Sequence, residues 1–214
     1  MNAIKILFII SVTLASCSGN AQVKKNNLTG KAMAIESTKQ YGFNRDFLRK
    51  YSTIIELKNA DSKIVLVPSW QARVMTSTAE GDSGFSFGWI NTELIKSRKL
   101  LPHINAFGGE ERLWLGPEGG QFSIFFGKGK SFIYDNWQTP AFLDTTPFHL
   151  ISSTDTSALF ENDIATENYS GTSFKFRIER EVTLLSGKEI KKQTLIDVDG
   201  LKCVAYRSGN KIIN

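Results

Sequence analysis

The 214-residue sequence is poor in the residue types that build most metal and redox sites, with two cysteines, two histidines and five prolines. Cys17 and Cys203 alone supply neither a disulfide framework nor a cysteine metal cluster. His103 and His149 stand far apart without a nearby carboxylate pattern, so no metal and no cofactor is expected. The formal net charge of +5 is small and scattered. A nucleic-acid binder needs a concentrated basic stripe, and that class is excluded. No internal repeat and no interdomain linker breaks the chain, which reads as one domain with a real core.

What is present begins at the N-terminus. Lys5 is followed by a short apolar run, Ile6 to Val12, and then by Leu14-Ala15-Ser16-Cys17. A positive start, a short greasy stretch and small residues at a cut describe an export signal. The run is too short to span a bilayer, which takes about 20 apolar residues. Leu14 to Cys17 resembles a lipobox, the mark of bacterial lipoproteins. That resemblance implies removal of residues 1–16, lipidation of Cys17 and attachment to a membrane. Two or more lipid signals on one residue anchor a domain stably, where a single acyl chain does not. Residues 17–36, rich in Asn, Lys and Gly, read as the lipidated cysteine and a flexible tether. Ser18 after the cysteine is not an Asp retention residue, so the expected location is the cell envelope, at the outer membrane facing the periplasm.

Residues 37–214 read as mainly β. One short helix is predicted near the start, with Phe43, Phe47, Leu48 and Tyr51 on one face and Arg45, Asp46, Arg49 and Lys50 opposite. Thr53–Leu57 and Lys63–Val67 flank the turn Asn59-Ala60-Asp61-Ser62 and predict a hairpin. Ala72–Ser77, Arg112–Leu115, Gln121–Phe126, Phe174–Leu184, Ile190–Ile196 and Leu201–Tyr206 are further strand candidates. Asn136–Asp155 carries two of the five prolines, with little periodicity, and predicts a long loop. Long antiparallel strands with glycine turns indicate a sandwich or barrel. Cys203, inside an apolar run, reads as core filler. Gly81-Asp82-Ser83-Gly84 and Asp197-Val198-Asp199-Gly200 read as turns: the first lacks the second glycine of a serine-protease nucleophile loop, the second lacks the later ligands of a calcium loop.

Residues 102–126 are different, because polar and aromatic residues crowd around paired glycines. Asn105 precedes Gly108-Gly109, and Glu110, Glu111, Arg112, Trp114 and Glu118 follow. Glycine pairs let the backbone bend sharply and let another group approach closely. Carboxylates accept from hydroxyl pairs, a guanidinium donates a fork, and an indole stacks on the C–H face of a sugar. The competing reading is a sheet corner whose charges pair with one another around a buried Trp114.

The stretch 103–121 resembles a characteristic region of the galactose-mutarotase-like, or aldose-epimerase-like, superfamily, in which Asn is followed by a Gly-Gly turn and a Trp strand. Gln71-Ala72-Arg73-Val74-Met75-Thr76-Ser77 is similar to that superfamily's early strand, where an Arg sits near the sugar. Tyr169-Ser170-Gly171-Thr172 before the Phe174 strand is similar to uncharacterised envelope lipoproteins of the Bacteroidetes type. The likeness spans residues 40–210. It implies a β-supersandwich of antiparallel sheets, with Arg73, His103, Asn105, Glu110, Glu111, Arg112, Trp114 and Glu118 on its carbohydrate-binding side. The chain stops about where the first half of such a fold would end. The expectation is therefore a partial supersandwich, with an open edge near Leu201–Tyr206 through which the protein self-associates.

The departures from the resemblance decide the function expected. Phe107 stands where catalytic epimerases carry a histidine, and neither their second histidine nor their late glutamate is evident. General acid–base chemistry needs both groups within hydrogen-bond reach of the substrate. The expected protein is a carbohydrate-binding lipoprotein that is not an enzyme. The alternatives are an aldose epimerase or other sugar-processing enzyme with atypical residues, and a structural or truncated lipoprotein without a ligand.

Overall fold

The computed structural model describes residues 37–214. The predicted signal peptide, Cys17 and the tether lie outside the described residues. Within them the architecture is mainly β, as the sequence predicts: two antiparallel sheets, of three and four strands, with a helix near the start. Among the described residues no helix is long and apolar enough to cross a membrane.

Helix α1, Tyr41–Tyr51, sits where the apolar spacing puts it, and Arg49 and Lys50 in its last turn complement the helix dipole. Its buried face is Tyr41, Asn44 and Leu48, while Phe43 is 44% exposed. The predicted hairpin forms as β1, Ile55–Asn59, and β2, Ser62–Val67, in the register Asn59↔Ser62. A turn through Pro68–Trp70 leads into β3, Arg73–Thr78, which pairs with β2. Helix α2, Thr92–Ser97, begins at Asn91, whose side chain accepts from the Leu94 amide.

The second sheet is a meander of β4 (His149–Ser153), β5 (Ser157–Glu167), β6 (Ser173–Leu184) and β7 (Tyr206–Ile213). Its outer face is wet. Asp163 opposite Arg177 and Glu179 opposite Lys211 form cross-strand ion pairs there. Its inner face presents Phe160, Ile164, Ile178, Val182 and Leu184 to Leu57, Ile64, Leu66 and Val74 of the first sheet. Phe125, Phe142 and Phe148, from the long connection between the sheets, close this core. The other face of the first sheet, through Val65, Val67 and Met75, packs on α1, α2 and Phe107. The three-stranded sheet is thus the middle of three layers. Each large apolar side chain buried there contributes about 1.5–3 kcal/mol.

Five segments differ from the sequence reading. Ile190–Ile196, predicted as a strand, lies largely in helix α3, Gly187–Thr194, which starts with a reciprocal cap between Ser186 and Glu189. That local cap outweighs the β-branched residues behind it. Leu201–Ala205 is irregular, and the last strand starts at Tyr206. Arg112–Leu115 and Gln121–Phe126 form no strand, because their large side chains fill the core from an irregular backbone. The predicted loop 136–155 contains the short helical turn Ala141–Leu143 and strand β4. The edge strand expected at Leu201–Tyr206 does not form; the strand at that end of the four-stranded sheet is β7, at residues 206–213. Cys203 is half-buried against Leu185, Ile190 and Val198, and burial pushes its thiol up.

Candidate binding cleft

The cleft grows from the free edge of β3. The segment 108–112 lies along it, with the Val74 amide donating to the Glu111 carbonyl at 3.0 Å and the Glu110 amide to the Val74 carbonyl at 2.8 Å. On its other side, Gly109 donates to the Trp89 carbonyl at 2.8 Å. Gly108 and Gly109 are therefore clasped between two backbones, at φ 95° and 109°. A Cβ on Gly108 would stand 2.2 Å from the Trp89 oxygen, and one on Gly109 2.9 Å from the Val74 oxygen. The glycine pair serves close approach, as its sequence suggests.

The resulting cleft, ≈ 330 Å³, is lined by Arg73, Glu110, Glu111 and Arg112 together with Trp89 and the glycine pair. Glu110 accepts from Ser77 Oγ at 2.9 Å and from the Tyr206 hydroxyl at 3.2 Å. Burial pushes the Glu110 carboxyl above the usual carboxylate range, and burial together with the Glu110 charge pushes the Tyr206 hydroxyl up. Glu111 pairs with Arg180 and accepts from Ser208 Oγ at 3.1 Å. Arg180 is fully buried, and it also donates to Asn210 Oδ1 at 3.0 Å and to the Ala72 carbonyl at 3.2 Å.

Arg73 is held differently. It is 3% exposed and donates through Nη1 to the Gly108 carbonyl at 2.9 Å. Its Nε and Nη2 have no hydrogen-bond partner among the described residues. Asp144 Oδ1 is also buried and unpartnered, 3.9 Å from Arg73 Nη2 and 3.9 Å from Arg112 Nη1. Burial, reinforced by the charge of Arg112, lowers the Arg73 guanidinium to about 10. Arg112 lies over the Trp114 ring, 4.2 Å from its centroid.

Of the eight residues predicted for the site, Arg73, Glu110, Glu111 and Arg112 meet in the cleft. The other four stand outside its lining. Trp114 packs against Phe125 at 5.2 Å, and its Nε1 donates to Glu118 at 2.7 Å. One face of the indole is covered by Arg112. Asn105 is buried and donates to Asp144 Oδ2 through its backbone at 2.8 Å and its side chain at 2.9 Å. His103 packs on Tyr134 at 4.6 Å, with Nδ1 2.6 Å from the Trp137 carbonyl. The sequence reading missed Trp89, Asp144 and Arg180. Trp89 is 63% exposed at the cleft, and its signal is the alternation Phe85-Ser86-Phe87-Gly88-Trp89, where aromatic residues recur on one side of an extended chain. Phe107 is buried and stacked on Trp70 at 4.5 Å. A second hollow, ≈ 450 Å³, runs along β5 at residues 163–168. Lys128, Asp163 and Glu167 line that hollow, whereas two arginines and two glutamates meet in the smaller cleft beside the glycine pair.

Residues 39–214 match the family described as Family of unknown function (DUF6786). Neither a curated protein nor a solved structure matches the chain.

Proposed function

We propose that the chain, which belongs to the DUF6786 family of unknown function, is an envelope lipoprotein whose domain binds a carbohydrate in the cleft beside Trp89 without turning it over. One observation carries this reading: charged donors and acceptors line a cleft whose lining includes Trp89, a residue that is 63% exposed. Trp89 offers the flat apolar face that a sugar ring stacks on. Arg112 donates to hydroxyls, and the carboxylate oxygens of Glu110 and Glu111 accept from them. A volume of ≈ 330 Å³ lies at the lower end of small-ligand sites, room for one or two sugar rings. Phe107 in the aromatic packing under the first sheet supports binding without mutarotation.

A glycan-array screen of the purified chain tests the reading, with Trp89→Ala and Trp114→Ala as the deciding pair. Trp89→Ala removes the exposed face and lowers glycan affinity by about 1–3 kcal/mol without changing the fold. Trp114→Ala acts on the core beside Phe125 and lowers the melting temperature. Glycan binding untouched by Trp89→Ala sinks the reading. The lipid anchor is tested apart: Cys17→Ser abolishes lipid labelling and releases the protein from membranes. The rival, a sugar-processing enzyme, draws on the buried Glu110 carboxyl in the cleft. Polarimetry on glucose and galactose separates the two, since a rate well above buffer that is lost on Glu110→Gln belongs to the enzyme.

A further inference from the structure

The saccharide reading leaves open which sugars fit, and the two arginines of the cleft bear on that. Each carboxylate near them has its own obligations. Glu111 is taken by Arg180 and Ser208, and Glu110 by Ser77 and Tyr206. Asp144 gives its Oδ2 to Asn105. What is left is one oxygen, Asp144 Oδ1, facing two guanidinium groups, each at 3.9 Å and so beyond hydrogen-bond reach. Asp144 is thus the one carboxylate within 4 Å of both cations, while the charge of Glu118, whose Oε1 is engaged by Trp114, also reaches Arg112.

The free atoms of Arg73 have a specific shape. Nη1 is used by the Gly108 carbonyl, while Nε and Nη2 are both unpartnered. Those two nitrogens form the side edge of the guanidinium, whose parallel N–H bonds match the two oxygens of one carboxylate. A buried charged donor without a partner is costly, so this covered, unpartnered edge favours an acceptor that reaches it as a neighbouring side chain moves aside. Arg112 carries no hydrogen bond among the described residues. Its side chain is 24% exposed and rests on Trp114, so it can shift over an incoming group. Hydroxyls would meet the Arg73 edge one nitrogen at a time, whereas a carboxylate engages both nitrogens at once and carries the complementary charge.

We propose, resting on the saccharide reading above, that the ligand is an acidic sugar whose carboxylate seats on the Nε–Nη2 edge of Arg73 and under the guanidinium of Arg112, while its ring stacks on Trp89. The class is that of uronic acids, as monosaccharides or as residues of an acidic glycan.

Titration of the whole chain, purified in detergent, with D-glucuronate, D-galacturonate and their methyl esters tests the inference. The ester keeps the ring and removes the charge. The acid binds at least about tenfold more tightly than its ester, the fold-change expected for charge-assisted hydrogen bonds. Arg112→Gln and Arg73→Gln each bring the acid-to-ester ratio toward one, and circular dichroism and thermal melting confirm that both variants are folded. Acid and ester binding alike, with the ratio unmoved by Arg112→Gln, overturns the carboxylate assignment and leaves the saccharide cleft standing. If neither acid, ester nor neutral glucose or galactose binds, the saccharide reading itself fails and this inference with it.

Discussion

Arg180 and Arg73 are both buried arginines, one on each facing sheet, and they are treated in opposite ways. Arg180, in the middle of β6, has a partner for every guanidinium nitrogen: Glu111, Asn210 and the Ala72 carbonyl. Arg73, at the start of β3, has a partner for one. Arg180 ties the 108–112 segment and β3 to the four-stranded sheet, across 69 residues of sequence to Glu111 and 108 to Ala72. Arg73 hydrogen-bonds to the glycine turn beside it and stands 3.9 Å from Asp144 Oδ1. A satisfied buried ion fixes how elements meet, and a half-satisfied one is where a protein keeps reactivity toward a ligand. The difference puts Glu111 with the architecture and leaves Arg73 and Arg112 as the cations on which the proposed recognition rests, although all three line the same cleft.

The sharpest way to break this contrast is to strip Arg180. Glu111→Ala leaves a fully buried guanidinium without its counter-charge and costs about 3–5 kcal/mol of stability in urea unfolding. A loss under about 1 kcal/mol would mean that the pair is dispensable and the contrast false. Next in size is Gly109→Ala. At φ 109° and 2.8 Å from Arg73 Cδ, an added methyl strains the backbone and displaces the Arg73 side chain. It costs about 1–3 kcal/mol. Arg73→Met, by comparison, gives up one hydrogen bond and relieves two unpartnered buried nitrogens. Its cost is about 1 kcal/mol or less.

The smallest effect is a pH dependence at Glu110. Burial raises its folded pKa above the unfolded value, so the protonated form is the one the fold favours. The stability linked to this group is complete below the unfolded carboxylate pKa of about 4.3 and is lost as pH rises through the folded value. Asp82, whose carboxyl is held low by Lys63 and Arg45, pulls the other way. The difference between variant and parent isolates Glu110: the melting temperature of Glu110→Gln rises relative to the parent as pH goes from 4 to 8. A difference that stays flat over that range removes Glu110 from the pH response.

The elements legible in the sequence were those whose local pattern and burial agree. The α1 spacing, the hairpin around Ala60-Asp61 and the alternation of β6 each encode one face toward the core, and each formed where expected. The segment after β6 misled, because Ile190 and Ile196 carry strand preference while Ser186 and Glu189 carry a helix start, and the cap prevailed. β7 was missed because Ser208-Gly209-Asn210 looks like a turn, yet those residues are held in register by β6. The site was half legible. Arg73 and the run 110–112 stand close through a backbone bridge that the glycine pair announces. Asp144 and Arg180 reach the same place through contacts 39 and 69 residues long, which no local pattern carries. Trp114 looked like a platform because it is aromatic and adjacent, and only the packing reveals Arg112 and Phe125 against it.

The middle layer has a consequence for how the protein meets solvent isotopes. All six residues of β3 are buried, as are the last four of β2, with helices on one side and the larger sheet on the other. β4, at a sheet edge, is exposed along its whole length. Backbone amides in β4 exchange their hydrogens through local fraying, whereas those bonded between β2 and β3 exchange only when the whole domain opens. A ligand that binds the folded cleft lowers that global opening by the factor 1 + [L]/Kd. Deuterium uptake at Val65 and Thr76, which face each other across the ladder, therefore reads out cleft occupancy without any reporter in the cleft itself.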